Sequence, residues 1–359
     1  MAVLRKKDIE DIMYGRKRSF LIEAMLFGLS LLYRAIIRMR RALYRCRMLK
    51  SHELPCTVIS VGNITLGGTG KTPMVIAIAG LLAEKQRRPA VVSRGYGRKD
   101  EKSTVIVSDG KSVLADTRAG GDEPVLIGSR LSGVPVVAAS RRYRAARYAL
   151  EHFDAKTVIL DDGFQHLGLR RNLDIVLVDA ADPFGNGRLF PAGILREPAS
   201  ALHRAHAVVI TRADASQEVD ALKQRIGRIT AARIFTSVQR PVDLVEIRSG
   251  EARALSVLSG ARVFAFSGIA RPASFLATLR ALGVVIAAER AYPDHQVYDK
   301  SDLADVFQKA ADHGADMIVT TEKDAVRLRE LRPEGIWALR IEQEVLERRE
   351  WQRFLLDGI

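Results

Sequence analysis

Gly67, Gly68 and Gly70 are followed at once by Lys71 and Thr72. Glycines let backbone N–H groups fold around an anion, because no Cβ blocks the approach. An ammonium at position 71 can reach the β- and γ-phosphates of a nucleotide, and a hydroxyl at position 72 can hold Mg²⁺. Thr65, Leu66, Gly67, Gly68, Thr69, Gly70, Lys71 and Thr72 therefore read as a phosphate-binding loop of the form G-x-x-x-x-G-K-[ST], with Thr65 in the first glycine's place. The implied ligands are a nucleoside triphosphate and Mg²⁺.

Other chemistry-bearing residues recur at the ends of apolar runs. Thr157 to Asp162 (TVILDD) ends in two carboxylates, Asp161 and Asp162. A buried strand that delivers an Asp to a sheet edge beside a phosphate loop is the Walker B arrangement, in which the carboxylate holds Mg²⁺ directly or through water. Asp122 and Glu123 start a helical stretch, where acidic residues serve equally as caps or dipole partners. The long segment PFGNGRLFPAGILREP carries Arg188, Arg196 and Glu197. A loop of that length inside a compact domain is usually functional. Thr211, Arg212 and Asp214 (TRAD) resemble a degenerate guanine-reading N-K-x-D loop. Further along, loops carry Asp294, His295, Thr321, Glu322, Lys323 and Asp324.

These residues need a scaffold, and the pattern supplies one. Thr57 onward reads as a buried strand, the glycine turn, and a helix to about Lys85. Strands are expected at Pro89–Ser93, Thr104–Val107, Val134–Ala138, Thr157–Asp162, Asp174–Asp179 and across AHAVVIT, with helices between. Such alternation predicts an α/β fold: a P-loop NTPase-like, doubly wound, mostly parallel sheet. Near Ala231 to Glu246 the pattern changes, and a pair of strands about Pro241 suggests a linker. A second, smaller α/β domain follows, with no phosphate loop of its own. The expected division is 1–48 as a basic and apolar membrane-associated helical segment, 49–240 as the P-loop domain, and 241–359 as the smaller domain.

The chain has 359 residues and a net charge of +14, from 56 basic and 42 acidic side chains. That balance suits a phosphorylated substrate, an anionic membrane surface or nucleic acid. The charge is concentrated near the start, at Arg5, Lys6, Lys7, Arg16, Lys17 and Arg18. The apolar run Ser19 to Tyr33 comes next, shorter than the roughly 20 residues of a membrane span. It continues into RAIIRMRRALYRCRMLK without a signal-peptide cleavage site. An apolar helix running into a basic amphipathic one suits the membrane interface. Cys46 and Cys56 form neither a metal pair nor a disulfide framework.

Taken in order, VGNITLGGTGKTP, SRGYGR, GDEP, DDGFQH, GNGRLFPAGILREP, AFSGIARP, YPDHQVY and TTEKDAVR closely resemble the tetraacyldisaccharide 4′-kinases of lipid A biosynthesis. The resemblance runs from the N-terminal apolar helix almost to the C-terminus. It implies ATP-dependent phosphorylation of the 4′-hydroxyl of a tetraacylated glucosamine disaccharide 1-phosphate, at the cytoplasmic face of the bacterial inner membrane. By motif, it implies that Asp122 is the catalytic base and that His295 is its partner from the other domain. It places Asp161 and Asp162 near Mg²⁺, with Glu197 a further member of the metal–phosphate site. The partners implied are a lipid disaccharide and an anionic membrane surface, with no nucleic acid and no obligate protein partner. A membrane-associated P-loop switch or scaffold is the competing reading, to which the TRAD loop lends its support. A nucleic-acid-binding ATPase lacks any recognised module and leaves the apolar helix unexplained.

Overall fold

The computed structural model describes residues 11–14 and 19–358. The basic residues Arg5, Lys6, Lys7, Arg16, Lys17 and Arg18 lie outside the described residues. The chain forms two compact units that are discontinuous in sequence. The first takes the chain up to Arg94, then Arg141–Val238 and Glu344–Ile359. The second takes Gly95–Ser140 and Gln239–Gln343. This differs from a division into consecutive segments near residue 240. The segment carrying Asp122 belongs with the C-terminal half, and the closing helix Arg348–Asp357 returns to the first unit.

The first unit is built on a parallel sheet. Thr57–Asn63 lies between Thr157–Asp161 and Leu173–Asp179. Pro89–Ser93 pairs beyond Thr157–Asp161, while Ala207–Thr211 and then Arg233–Thr236 extend the other side. Thr157–Asp161 and Leu173–Asp179 are buried along their whole lengths. That burial is why they read as continuous apolar runs rather than alternating ones. Fully buried Ile59, Val61, Ile159 and Leu160 supply the core, each stabilising by about 1.5–3 kcal/mol. Because the strands are parallel, Asn63, Ser93, Asp161, Asp179 and Thr211 all arrive at the same carboxyl edge, where open α/β sheets bind ligands.

In the second unit, Arg262–Ser267 pairs in parallel with Val285–Ala291 and Met317–Thr321, and the latter with Ile336–Leu339. Its core joins Phe264, Phe266, Tyr292 and Tyr298 on one side and Val263, Leu279 and Val319 on the other. Val105–Asp109 and Pro135–Ala138 form an antiparallel pair in the same unit.

The expected pair of strands about Pro241 is one strand, Arg233–Glu246. Residues 233–236 pair with 207–210 and residues 243–245 with 252–254. Pro241 falls between those two ladders, so its missing N–H costs neither a bond.

The N-terminal apolar and basic stretches form a single helix, Phe20–Arg45, of 26 residues. At 1.5 Å per residue it is roughly 39 Å long. The apolar run alone falls short of a span, but the continuous helix is long and apolar enough to cross a membrane. Phe20, Leu21, Met25, Leu29, Leu32 and Met39 are exposed along it. Leu26 packs with Ile12 and Ala192, and the Tyr33 hydroxyl donates to the Arg196 carbonyl at 3.1 Å.

Candidate active site

The phosphate loop leaves the strand at Asn63, whose amide donates to the Thr69 hydroxyl at 3.0 Å. Gly67 and Gly70 adopt φ of 92° and 83°, which glycine alone reaches without steric cost. Gly70 caps the helix Lys71–Glu84. The first amides of that helix have no intrahelical partner, and with the helix dipole they make an anion site. The long loop expected to be functional braces this turn: Leu66 N–H donates to the Ile194 carbonyl at 2.7 Å, and Arg196 N–H to the Ile64 carbonyl at 2.7 Å.

Asp161 ends its strand almost wholly buried and accepts from the Ser93 hydroxyl at 2.9 Å. Asp162 turns into the left-handed region, with φ of 52°. Both of its carboxylate oxygens accept from Arg196 Nη1, at 3.0 and 2.8 Å, and it faces Lys71 Nζ at 3.7 Å. Burial works to raise its pKa, but Lys71 and Arg196 outweigh burial and push it down to about 2. Glu197 is buried and held by Arg204 Nη2 at 2.6 Å, while the Arg204 guanidinium stacks on Phe164, 4.3 Å from the ring centroid. Thr72 is buried in the first turn of the helix. The first unit thus carries the loop, Lys71, Thr72, Asp161, Asp162 and Glu197, and brings Lys71 to Asp162. Among the described residues, no group of three or more His, Cys, Asp or Glu side chains could hold a metal ion.

The second unit carries the other candidates. Gly121, at φ 89°, opens the helix Asp122–Arg130. Asp122 Oδ1 accepts from the Glu123 amide at 2.9 Å, and Oδ2 lies 2.9 Å from His295 Nδ1. The resemblance sets the two residues on different domains. They lie in the same unit and are already paired. His295 sits at φ 62°, just after Pro293 and Asp294, beside the Tyr96 ring.

Arg327 is the member that sequence reading missed. Its Nε lies 3.0 Å from Asp122 Oδ2, and its Nη2 also donates to that oxygen. Nη1 donates to the Gly268 carbonyl at 2.7 Å and to Asp324 at 3.1 Å. Asp324 is fully buried and further accepts from Gly268 N–H, the Tyr298 hydroxyl and the Thr321 hydroxyl. Lys323 pairs with Glu123 at 3.1 Å. Burial works to raise the Asp122 pKa. The His295 hydrogen bond and the charges of Lys323 and Arg327 outweigh it and hold the carboxyl well below the usual carboxylate range. An ionised carboxylate only accepts, so His295 Nδ1 carries the proton between them. Sequence placed Lys323 and Asp324 at a strand end, but only the helix Glu322–Leu328 shows that Arg327 turns back toward Asp122.

Residues 22–359 match the family described as tetraacyldisaccharide-1-P 4′-kinase. The tetraacyldisaccharide 4′-kinase of Syntrophus aciditrophicus is 43% identical over 339 residues, covering 91% of each chain. That of Pelobacter propionicus is 44% identical over 305 residues, covering 85% of this chain and 83% of the relative. The crystal structure of LpxK from Aquifex aeolicus, solved in complex with ATP, superposes with a TM-score of 0.76 at 32% identity, covering 94% of this chain and 99% of that one. On these grounds the chain belongs to the tetraacyldisaccharide-1-P 4′-kinase family, ATP-dependent kinases of lipid A biosynthesis.

Proposed function

We propose that this chain binds ATP on the loop Thr65–Thr72 and transfers its γ-phosphoryl group to the 4′-hydroxyl of tetraacyldisaccharide 1-phosphate, giving lipid IVA. The hydroxyl oxygen bonds to the γ-phosphorus, the bond to the β–γ bridging oxygen breaks, and ADP leaves. The hydroxyl proton passes to the Asp122–His295 pair. Phosphoryl transfer asks the protein for alignment, charge neutralisation and a proton acceptor rather than covalent chemistry. Lys71 and the helix amides serve the donor phosphates. Asp122 and His295 serve the acceptor hydroxyl.

Mg²⁺ is usually held by one or two carboxylates together with substrate phosphates, and Thr72, Asp161, Asp162 and Glu197 offer oxygen donors that would hold it, without forming a three-carboxylate cluster of their own. When bound, the ion would neutralise charge on the β- and γ-phosphates. Arg196 and Lys71 keep Asp162 ionised, and Arg204 orients Glu197.

The exposed apolar residues Phe20, Leu21, Met25, Leu29 and Leu32 of the helix Phe20–Arg45, followed within it by Arg34, Arg38, Arg40 and Arg41, support seating at the cytoplasmic face of the inner membrane, where the lipid acceptor resides. The single observation that carries the reading is the preformed Asp122–His295 pair in a chain that also carries a phosphate loop. The test is purified protein with ATP, Mg²⁺ and tetraacyldisaccharide 1-phosphate in detergent, read by mass spectrometry. A product heavier by one phosphate at the 4′ position is expected. Folded, ATP-binding protein that yields none would overturn the reading.

A further inference from the structure

The TRAD loop has no part in the chemistry above, yet it touches the phosphate loop directly. The strand Ala207–Thr211 ends beside Leu173–Asp179, so Thr211 and Asp179 emerge together. The Thr211 hydroxyl donates to the Thr69 carbonyl at 3.0 Å. Arg212 follows in the left-handed region, at φ 54°, which turns its side chain back along the sheet edge. Its Nη2 donates to the Gly68 carbonyl at 2.8 Å. The rest of the guanidinium is held by Asp179: Nε lies 3.2 Å from Oδ1, and Nη2 also pairs with Oδ2. Asp179 is 1% exposed, and its Oδ1 also accepts from the Ala181 amide.

Two adjacent loop peptides are thus gripped by their oxygens. In a trans peptide the C=O and N–H point in opposite directions. Holding the Gly68 oxygen fixes the direction of the Thr69 N–H. Holding the Thr69 oxygen does the same for the Gly70 N–H. Both amides belong to the nest that precedes the helix Lys71–Glu84. A glycine-rich loop has many alternative conformations, and fixing two peptides in advance removes an ordering cost that a ligand would otherwise bear.

We propose that Arg212, locked by Asp179 and assisted by Thr211, is a positioning residue that pre-orients the phosphate loop for the triphosphate of ATP. The proposal rests on ATP binding at Thr65–Thr72. It assigns the TRAD loop to the phosphate end of the nucleotide rather than to base recognition. Arg212 acts through the loop and touches no reacting atom. An Arg fork can bridge a carboxylate and a carbonyl together, and a lysine ammonium on its flexible stem cannot reproduce both.

The test is calorimetric ATP binding by the full chain, alongside steady-state kinetics. Arg212→Lys keeps a positive charge near buried Asp179 and so preserves the fold. The double variant Arg212→Leu with Asp179→Asn removes the buried charge pair altogether and controls for an orphaned carboxylate. Both retain a Cβ at the left-handed position. ATP affinity is expected to fall by about tenfold or more in each folded variant, the loss of a charge-assisted hydrogen bond. The KM for ATP should rise in parallel, with kcat at saturating ATP and the KM for the lipid acceptor nearly unchanged. Thr211→Val should weaken ATP by a smaller factor. Affinity within about twofold of wild type in both Arg212 variants overturns the proposal. Wild-type protein that binds no ATP would instead bring down the reading of the loop itself, and the proposal with it.

Discussion

Asp122 Oδ2 receives His295 Nδ1 and Arg327 on one oxygen, while Oδ1 is held by the neighbouring Glu123 amide. The carboxylate is therefore fixed at both ends, and its partner imidazole is directed by it, as the Asp directs the His in a hydrolase triad. Asp122→Asn keeps the shape but cannot accept a proton or fix the imidazole tautomer. It should lower kcat by about 10²–10⁴-fold, the usual worth of a general base. ATP affinity, measured separately, should change little, because Asp122 lies in the unit without the phosphate loop. His295→Ala should give a loss of kcat in the same range.

Arg327 joins His295 and Lys323 in lowering the Asp122 pKa. The groups facing that carboxylate are His295, Arg327 and Lys323; Glu123 pairs with Lys323, and Asp294 and Asp324 act on Arg327. With its pKa lowered, Asp122 stays ionised as the pH falls through the ordinary carboxylate value of 3.8. Removing Arg327 raises that pKa. Arg327→Gln should therefore shift the acid limb of the kcat/KM profile to higher pH, with Arg327→Lys falling between. An acid limb that stays put in folded Arg327→Gln would show that the guanidinium does not control the base.

Asp162 makes a stability prediction by the same reasoning. Its folded pKa of about 2 lies below the ordinary 3.8, so its ion pairs stabilise the fold above pH ~4. That contribution is lost as the pH falls from 3.8 through about 2. Arg196→Gln should raise the folded pKa toward 3.8 and diminish this loss. Plotted against pH, the Tm of the variant should lie below wild type at neutral pH and converge with it in acid. Parallel curves would disprove the assignment.

The exposed face of the N-terminal helix can be tested without touching either half of the chemistry. Leu29 and Leu32 are exposed and far in sequence from the phosphate loop. Leu29→Asp with Leu32→Asp should abolish sedimentation with vesicles of anionic phospholipid. Two charges at a bilayer-facing position cost about 2.5–3.5 kcal/mol each. The Tm should hold, since neither side chain supports the core.

Much of the first unit was legible because its strands are buried on both sides and read as apolar runs ending in functional residues. The phosphate loop, Asp161 and Asp162 fall where periodicity and spacing put them. Segment assignment was not legible. Nothing local in Gly95–Ser140 shows that it joins the second unit, because that depends on packing partners more than a hundred residues away. The same blindness hid Arg327. Its 205-residue separation from Asp122 leaves no pattern in sequence, and an arginine near a helix end is ordinarily a dipole partner. Pro241 misled in the other direction, because a proline between two ladders does not interrupt a strand. Arg212 looked like a weakened base-reading lysine, and its contact with Gly68 appears only once the parallel strands bring their ends together.

The Tyr33 hydroxyl ends on the carbonyl of Arg196, the residue whose guanidinium grips Asp162. The apolar helix is therefore bolted to the catalytic framework rather than leashed to it. In an enzyme seated in a bilayer, the height of the phosphate loop above the lipid headgroups becomes a fixed dimension of the molecule. The helix would then work as a depth gauge, setting how far a sugar must rise from the membrane plane to meet its phosphate.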